Sequence, residues 1–165
     1  MKQIEVTSDK QLKAMRELEF KQNHSLTEAR MVTTACEFDL LSMILANHKD
    51  EDTLYRIHIK DIEYITGRQW QHKQLSDATQ KMGSHMFRLD LPDRISQIWL
   101  FSSVDYLKGT GTIEIEINRK AMPLLSNIKE NGFTSIQLKS SLALTSLYAK
   151  RIYGLCCKWA NLGYI

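Results

Sequence analysis

Apolar residues recur at Leu26, Ala29, Val32, Cys36, Leu40, Met43 and Ala46, in steps of three and four. That spacing predicts a long helix with one face on a core. Ser25 offers an N-cap, and Glu28 stands three residues later, the capping-box spacing. The charged turn from Lys49 to Asp52 ends the helix. Residues 53–59 then alternate Tyr55, Ile57 and Ile59 against Leu54, Arg56 and His58, a short strand. Two helical stretches follow, residues 60–67 and 73–86, joined by GRQWQ. Gly67 suits a helix C-terminus that needs positive φ. Helix, tight turn and second helix over this length have the size of a helix-turn-helix unit.

Beyond Met86 the period changes. FRLDL reads as a strand, Pro92-Asp93 as a turn, and residues 95–107 as one longer strand. Lys108-Gly109-Thr110-Gly111 turns the chain into TIEIEIN, where Ile113, Ile115 and Ile117 alternate with Glu114 and Glu116. Residues 119–132 predict a short helix stopped by Asn131-Gly132, and FTSIQL a brief extended connection. A closing helix runs from about Ser141 to Trp159, with Leu144, Tyr148, Ile152, Leu155 and Trp159 on one stripe. Residues 1–24 are polar with sparse apolar positions and read as an N-terminal arm. Residues 25–165 form the domain. The expected fold class is α+β: a winged helix, meaning a helix-turn-helix followed by a β-hairpin wing, with a long N-terminal and a long C-terminal helix.

The long strand is apolar on both faces. Ile98, Leu100 and Val104 point one way and Trp99 and Phe101 the other, so the second face needs a cover. A helix of the same chain or a second protomer can supply it. In the second case Trp99 and Phe101 are the dimer interface, and the chain is a homodimer.

The 165 residues carry a formal net charge of +3, a mild pointer to an anionic partner. The distribution says more. Residues 1–66 hold nine Lys/Arg against twelve Asp/Glu, and residues 67–165 hold thirteen against seven, so a polyanion is expected to meet the later part of the chain. Cys36, Cys156 and Cys157 are odd in number and lack a C-x-x-C, which fits reduced thiols in a cytoplasmic protein. No stretch has the length or apolarity of a membrane span, and the start MKQIEVTSDKQLK lacks a signal-peptide core, so no membrane partner is expected.

Catalytic patterns are missing. The five histidines are scattered without an i, i+4 pair or a nearby cysteine pair, so no metal site and no cofactor are expected. There is no phosphate-cradling G-x-x-x-x-G-K-[ST] and no nucleophile elbow. Strand nicking by a tyrosine needs two histidines flanking one hydrophobic residue; His58-Ile59-Lys60 lacks the second. Tyr148 and Tyr153 read as core or half-buried aromatics. The chain is therefore expected to be no enzyme.

Binding chemistry remains. Arg68, Gln69, Gln71, His72, Lys73 and Gln74 lie in the turn and at the start of the second helix of the helix-turn-helix. Free N–H groups and the positive end of the helix dipole suit phosphate there. Arg88 and Arg94 flank Pro92-Asp93 and can reach a DNA backbone as a wing does. The competing reading makes each of these a solvated polar residue between core anchors. Trp70 serves as a buried anchor or a DNA contact, the anchor being favoured because such turns need one.

The closing helix, Ser146-Leu147-Tyr148-Ala149-Lys150-Arg151-Ile152-Tyr153-Gly154-Leu155, resembles the S-x-Y-A-x-R-x-Y-E-L run of iteron-type, theta-replicating plasmid replication initiators. Leu26-Thr27-Glu28-Ala29-Arg30, Tyr55 to Gly67, Gly111 to Asn118 and Phe133-Thr134 resemble further segments of that family in the same order. Together they cover roughly residues 25–160. Gly154 departs, since the family usually has Glu there. The resemblance implies the first of the two winged-helix domains expected in a full-length initiator, with weak backbone docking on double-stranded DNA at plasmid origin repeats (iterons). It implies replication initiation or autorepression, a homodimer, and host replication proteins as further partners. It also places Arg151 in a packed helix, where an ion pair with an acidic residue of the long helix is expected. Two other functions stay open: a protein–protein assembly module without DNA binding, and a winged-helix transcription regulator.

Overall fold

A computed structural model of the chain describes residues 19–23, 33–48, 53–126 and 132–160. At its centre lies helix α1 (Ala35–Ala46). Thr34 is its N-cap: the backbone is extended there, Oγ1 accepts from Glu37 N at 3.2 Å, and the same hydroxyl donates to Glu37 Oε1 at 3.0 Å. The helix therefore starts at Ala35, and the expected run through Thr33 and Thr34 does not form. The Ser25 cap and Glu28 lie outside the described residues. Cys36, Leu40, Leu41, Met43, Ile44 and Leu45 are all buried, so α1 is enclosed on nearly every side.

Strand β1 (Glu19–Asn23) pairs antiparallel with β7 (Phe133–Gln137), setting Phe20 opposite Ile136, each 1% exposed. Residues 19–23 thus belong to the fold and not to an arm. Their partner strand comes from the far end of the chain, which local periodicity cannot register. The remainder of the proposed arm lies outside the described residues.

Strand β2 (Leu54–His58) pairs with β6 (Thr112–Ile117), which pairs in turn with β5 (Phe101–Leu107). Tyr55 faces Ile115 and Ile57 faces Ile113 in a core layer, while Arg56 makes an ion pair with Glu114 on the other face. Helix α2 (Ile59–Thr66) ends at Gly67, whose φ of 67° is left-handed and whose N–H bonds Glu63 O at 2.8 Å. Helix α3 (His72–Ser84) packs Leu75, Ala78, Thr79 and Met82 inward.

The region after α3 differs from the expected single long strand. β3 (Met86–Asp90) pairs with β4 (Ile95–Trp99) as a separate hairpin; the chain bends at Leu100, and β5 begins at Phe101. Leu100 N donates to His85 O at 3.2 Å and Leu100 O accepts from Asn118 N at 2.9 Å, so the kink is tied on both sides. A register shift between Phe101 and Ser103 completes it. Phe101 consequently turns into the core and is 9% exposed, its ring 3.6 Å from where a Cβ on Gly83 of α3 would stand. It is covered by its own chain and is not free for a dimer interface; Trp99, 48% exposed, is.

Helix α4 (Met122–Ser126), β7, helix α5 (Leu138–Ala143) and helix α6 (Leu147–Ala160) close the fold. The expected closing helix is thus two helices, with extended backbone at Leu144 between them. Its apolar stripe does not face the core. Tyr148 is 79% and Ile152 61% exposed, while the side toward the body carries buried Lys150 and Gly154, with Tyr153 and Cys157 half-buried. The whole is an α+β winged helix: α1, β2, the α2–α3 pair and a twisted ribbon.

Candidate nucleic-acid interface

Helix α3 has an anchored face and an open face. The anchored face is fixed by Leu75 and Met82, and by Thr79, whose Oγ1 lies 2.7 Å from the Tyr106 hydroxyl on β5. The open face begins at Gln71, the N-cap residue, which makes no side-chain cap bond. No acidic residue occupies the first turn. Neither the N-cap side chain nor the first turn of α3 therefore neutralises the positive end of its first N–H groups. Around them Gln69, Gln71, His72, Lys73 and Gln74 are all exposed. The His72 ring is seated against Tyr106, with centroids 4.9 Å apart.

Arg68 is placed differently from the expectation of a phosphate ligand. Its Nη2 donates to Leu142 O at 2.7 Å and lies 3.4 Å from Asp39 Oδ2, and its guanidinium sits 5.9 Å from the Trp70 ring centroid. Trp70 itself is buried, the anchor reading. The turn before α3 is thus clamped from beneath, and Arg68 is part of the clamp. The physical cause is Asp39, a buried carboxylate on α1 that needs cations.

Asp39 receives a second cation from α6. Lys150 Nζ lies 2.5 Å from Asp39 Oδ1 and donates to Ser141 O at 2.6 Å, with its side chain fully buried. Burial pushes the Asp39 carboxyl up to about 6, and Lys150 and Arg68 pull it down only in part. Burial likewise lowers Lys150 against the pull of Asp39. The Cys36 thiol is pushed up to about 12, first by burial and then by Asp39 and Glu37, and so stays a neutral thiol.

The β3–β4 hairpin presents Met86, Arg88, Asp90, Ile95, Gln97 and Trp99 on one exposed face, in the cross-strand pairs Met86–Trp99, Arg88–Gln97 and Asp90–Ile95. Arg88 Nε lies 3.3 Å from Asp90 Oδ1, and Arg94 Nη1 3.2 Å from Asp93 Oδ2. Both arginines are exposed, but each is neutralised by a neighbour on its own hairpin. Such pairs are weak enough to exchange for another anion.

Gln80 also belongs to the open face of α3, together with Asp77, Lys81 and Ser84, all exposed. Sequence reasoning stopped at Gln74. The signal was present: these positions are out of phase with Leu75, Ala78 and Met82. Among the described residues no group of three or more His, Cys, Asp or Glu could hold a metal ion. No helix among them is long and apolar enough to cross a membrane.

No curated protein matches the chain significantly. The Pi initiator protein, in its complex with iteron DNA, is similar in fold, with a TM-score of 0.70 at 18% identity over 87% of this chain and 64% of that one. The chain therefore spans under two thirds of that structure. The WH1 domain of MSBI1.176, a replication protein isolated from a multiple sclerosis patient, aligns at TM-score 0.45 and 19% identity, over 65% of this chain and 91% of that one. The family model described as initiator replication protein, WH1, matches residues 19–157. That span takes in every described element except the last residues of α6, and the chain belongs to the WH1 family of initiator replication proteins.

Proposed function

We propose that this chain docks on double-stranded DNA at the repeated sequences of a plasmid origin, as the first winged-helix domain of a cytoplasmic, non-enzymatic replication initiator. The observation that carries the reading is the start of α3: an uncapped, acid-free helix end, exposed with Lys73, Gln71 and Gln74, on a turn clamped from below. Such an end binds a phosphate through N–H groups and dipole, and the clamp removes the entropy of positioning it. Family membership supports the initiator role, and the Pi protein's complex with iteron DNA supports the choice of ligand. The test is a Gln71→Ala/Lys73→Ala variant titrated by fluorescence anisotropy against a duplex carrying the plasmid's own repeat. The variant should bind at least severalfold more weakly with unchanged thermal stability. Unchanged affinity would remove this face from the account.

The hairpin favours a second role. Its exposed face is apolar at Met86, Ile95 and Trp99, and its four charges, Arg88, Asp90, Asp93 and Arg94, sum to zero. A face that is both apolar and charge-balanced suits a second copy of itself better than a polyanion, because each arginine can meet the other copy's aspartate. The homodimer reading thus rests on Trp99 and moves away from Phe101. Sedimentation of Trp99→Asp checks it: the variant should run as a monomer at concentrations where the parent dimerises. A parent that is itself monomeric at high concentration would exclude the pairing.

A further inference from the structure

Two ribbons follow α3 in the chain, and they differ in charge. The β3–β4 hairpin carries Arg88 and Arg94, each paired with an aspartate of the same hairpin. The turn between β5 and β6, Lys108-Gly109-Thr110-Gly111, carries a single cation. Lys108 is exposed and enters none of the ion pairs among the described residues.

That turn is fastened to the start of α3. Tyr106 on β5 lies along the helix, its ring centroid 4.9 Å from that of His72 and its hydroxyl 2.7 Å from Thr79 Oγ1. His72 opens α3 and Lys73 follows it. Lys108, about 7 Å further along the chain than Tyr106, therefore emerges beside the exposed helix end. Gly111 O accepts from Ile59 N at 3.0 Å, which brings the exposed Lys60 of α2 to the same corner. The turn is braced: Thr110 bonds Leu107 O through N at 3.3 Å and Oγ1 at 3.0 Å, and Oγ1 accepts from Thr112 N at 3.1 Å. A braced turn loses little entropy on meeting a ligand. It also stands clear, since beyond the chain neighbours nothing lies within 4 Å of where a Cβ on Gly109 or Gly111 would stand. The nearest acids leave the corner positive. Asp105 is on the other face of β5, opposite Glu114, and Asp61 is buried.

We propose that the β5–β6 turn, rather than the β3–β4 hairpin, is the ribbon that meets the duplex, with Lys108 on a backbone phosphate separate from the one at the start of α3. This contact rests on the docking of α3 proposed above. It leaves the hairpin face free for a second copy.

Anisotropy titrations of the full chain against a duplex bearing the plasmid's own repeat, from about 50 to 200 mM salt, separate the two ribbons. Lys108→Ala should bind more weakly at low salt with an unchanged melting temperature. The parent's advantage over it should shrink about threefold across that range, the share of one phosphate. Arg88→Ala/Arg94→Ala should keep the parent's salt slope. Ethylating the duplex phosphates one by one should reveal a phosphate whose blocking weakens the parent but not Lys108→Ala, distinct from the one lost in Lys73→Ala. If Lys73→Ala weakens binding while Lys108→Ala keeps the parent's affinity and slope, α3 docks and the turn makes no contact. A shallower slope in the arginine variant, with none in Lys108→Ala, assigns the duplex to the hairpin instead. Parent values in both lysine variants would end the docking of α3, and this contact with it.

Discussion

Lys150 on α6 and Asp39 on α1 form an ion pair at 2.5 Å with neither side chain more than 1% exposed. Through Asp39 Oδ2 the pair extends to the half-buried Arg68, so the closing helix, the central helix and the turn before α3 share one cluster of charges around buried Asp39. Removing one member leaves a buried charge without its partner, which costs about 3–5 kcal/mol. Lys150→Met should therefore lower the unfolding free energy in urea by that order. The added Asp39→Asn exchange should recover part of the loss, since both charges of the pair are then gone. A Lys150→Met protein as stable as its parent would show that the pair contributes nothing.

Asp39 should titrate late. Its folded-state value of about 6 lies above the ordinary 3.8, so the folded chain holds that proton more tightly than the unfolded one. Asp39's contribution to stability is then complete below about pH 4 and is lost as the pH rises through about 6. Carboxyl-carbon NMR should place its midpoint near 6. A midpoint below 4 would mean that Lys150 and Arg68 outweigh burial.

Arg68 and Lys73 are neighbours in sequence with opposite tasks. Arg68→Ala removes a charged hydrogen bond to Leu142 O and one cation of Asp39, and should cost about 1.5–3 kcal/mol of stability. Lys73 is exposed on the open face of α3, and Lys73→Ala should change stability by less than about 0.5 kcal/mol while weakening duplex binding. Thermal melts and anisotropy on the two variants separate the tasks; equal melting temperatures would contradict the clamp.

The split between those two residues marks the limit of what the sequence discloses. Local pattern suffices where the partner is near or the period is clean. The alternation of Tyr55 and Ile57, the isoleucines of β6, and Gly67 closing α2 all specify their elements without help from afar. It fails where the deciding partner is distant. Arg68 looks like a phosphate ligand until Asp39 is placed beneath it. The α6 stripe looks like core, because helical apolar spacing normally marks the buried side. Here the buried side carries Lys150, which Asp39 and Ser141 O satisfy. The structure joins the closing helix to the long helix by an ion pair at Lys150, beside the Arg151 to which the resemblance points. Trp99 and Phe101 share a face only in an unbroken strand; the kink at Leu100, which depends on bonds to His85 and Asn118, gives Phe101 the cover of its own chain and leaves Trp99 exposed.

β1 gives the same lesson as a prediction. Phe20 is 1% exposed and sits opposite Ile136 across the β1–β7 pair. Phe20→Ala should cost about 3–5 kcal/mol, as for other buried aromatics. Urea unfolding measures it. A cost below about 1 kcal/mol, the level of an ordinary surface change, would return residues 19–23 to the status of an arm.

The account's central claim is that the start of α3 offers positive potential to a duplex, and the salt dependence of binding tests it most directly. Affinity for a duplex bearing the plasmid's own repeat, measured from about 50 to 200 mM salt, should fall linearly on a log–log plot at roughly 0.9 per phosphate neutralised. With Lys73 changed to Ala the slope should become shallower by about one phosphate's worth. No detectable binding at the lowest salt, or a slope near zero, would contradict the account.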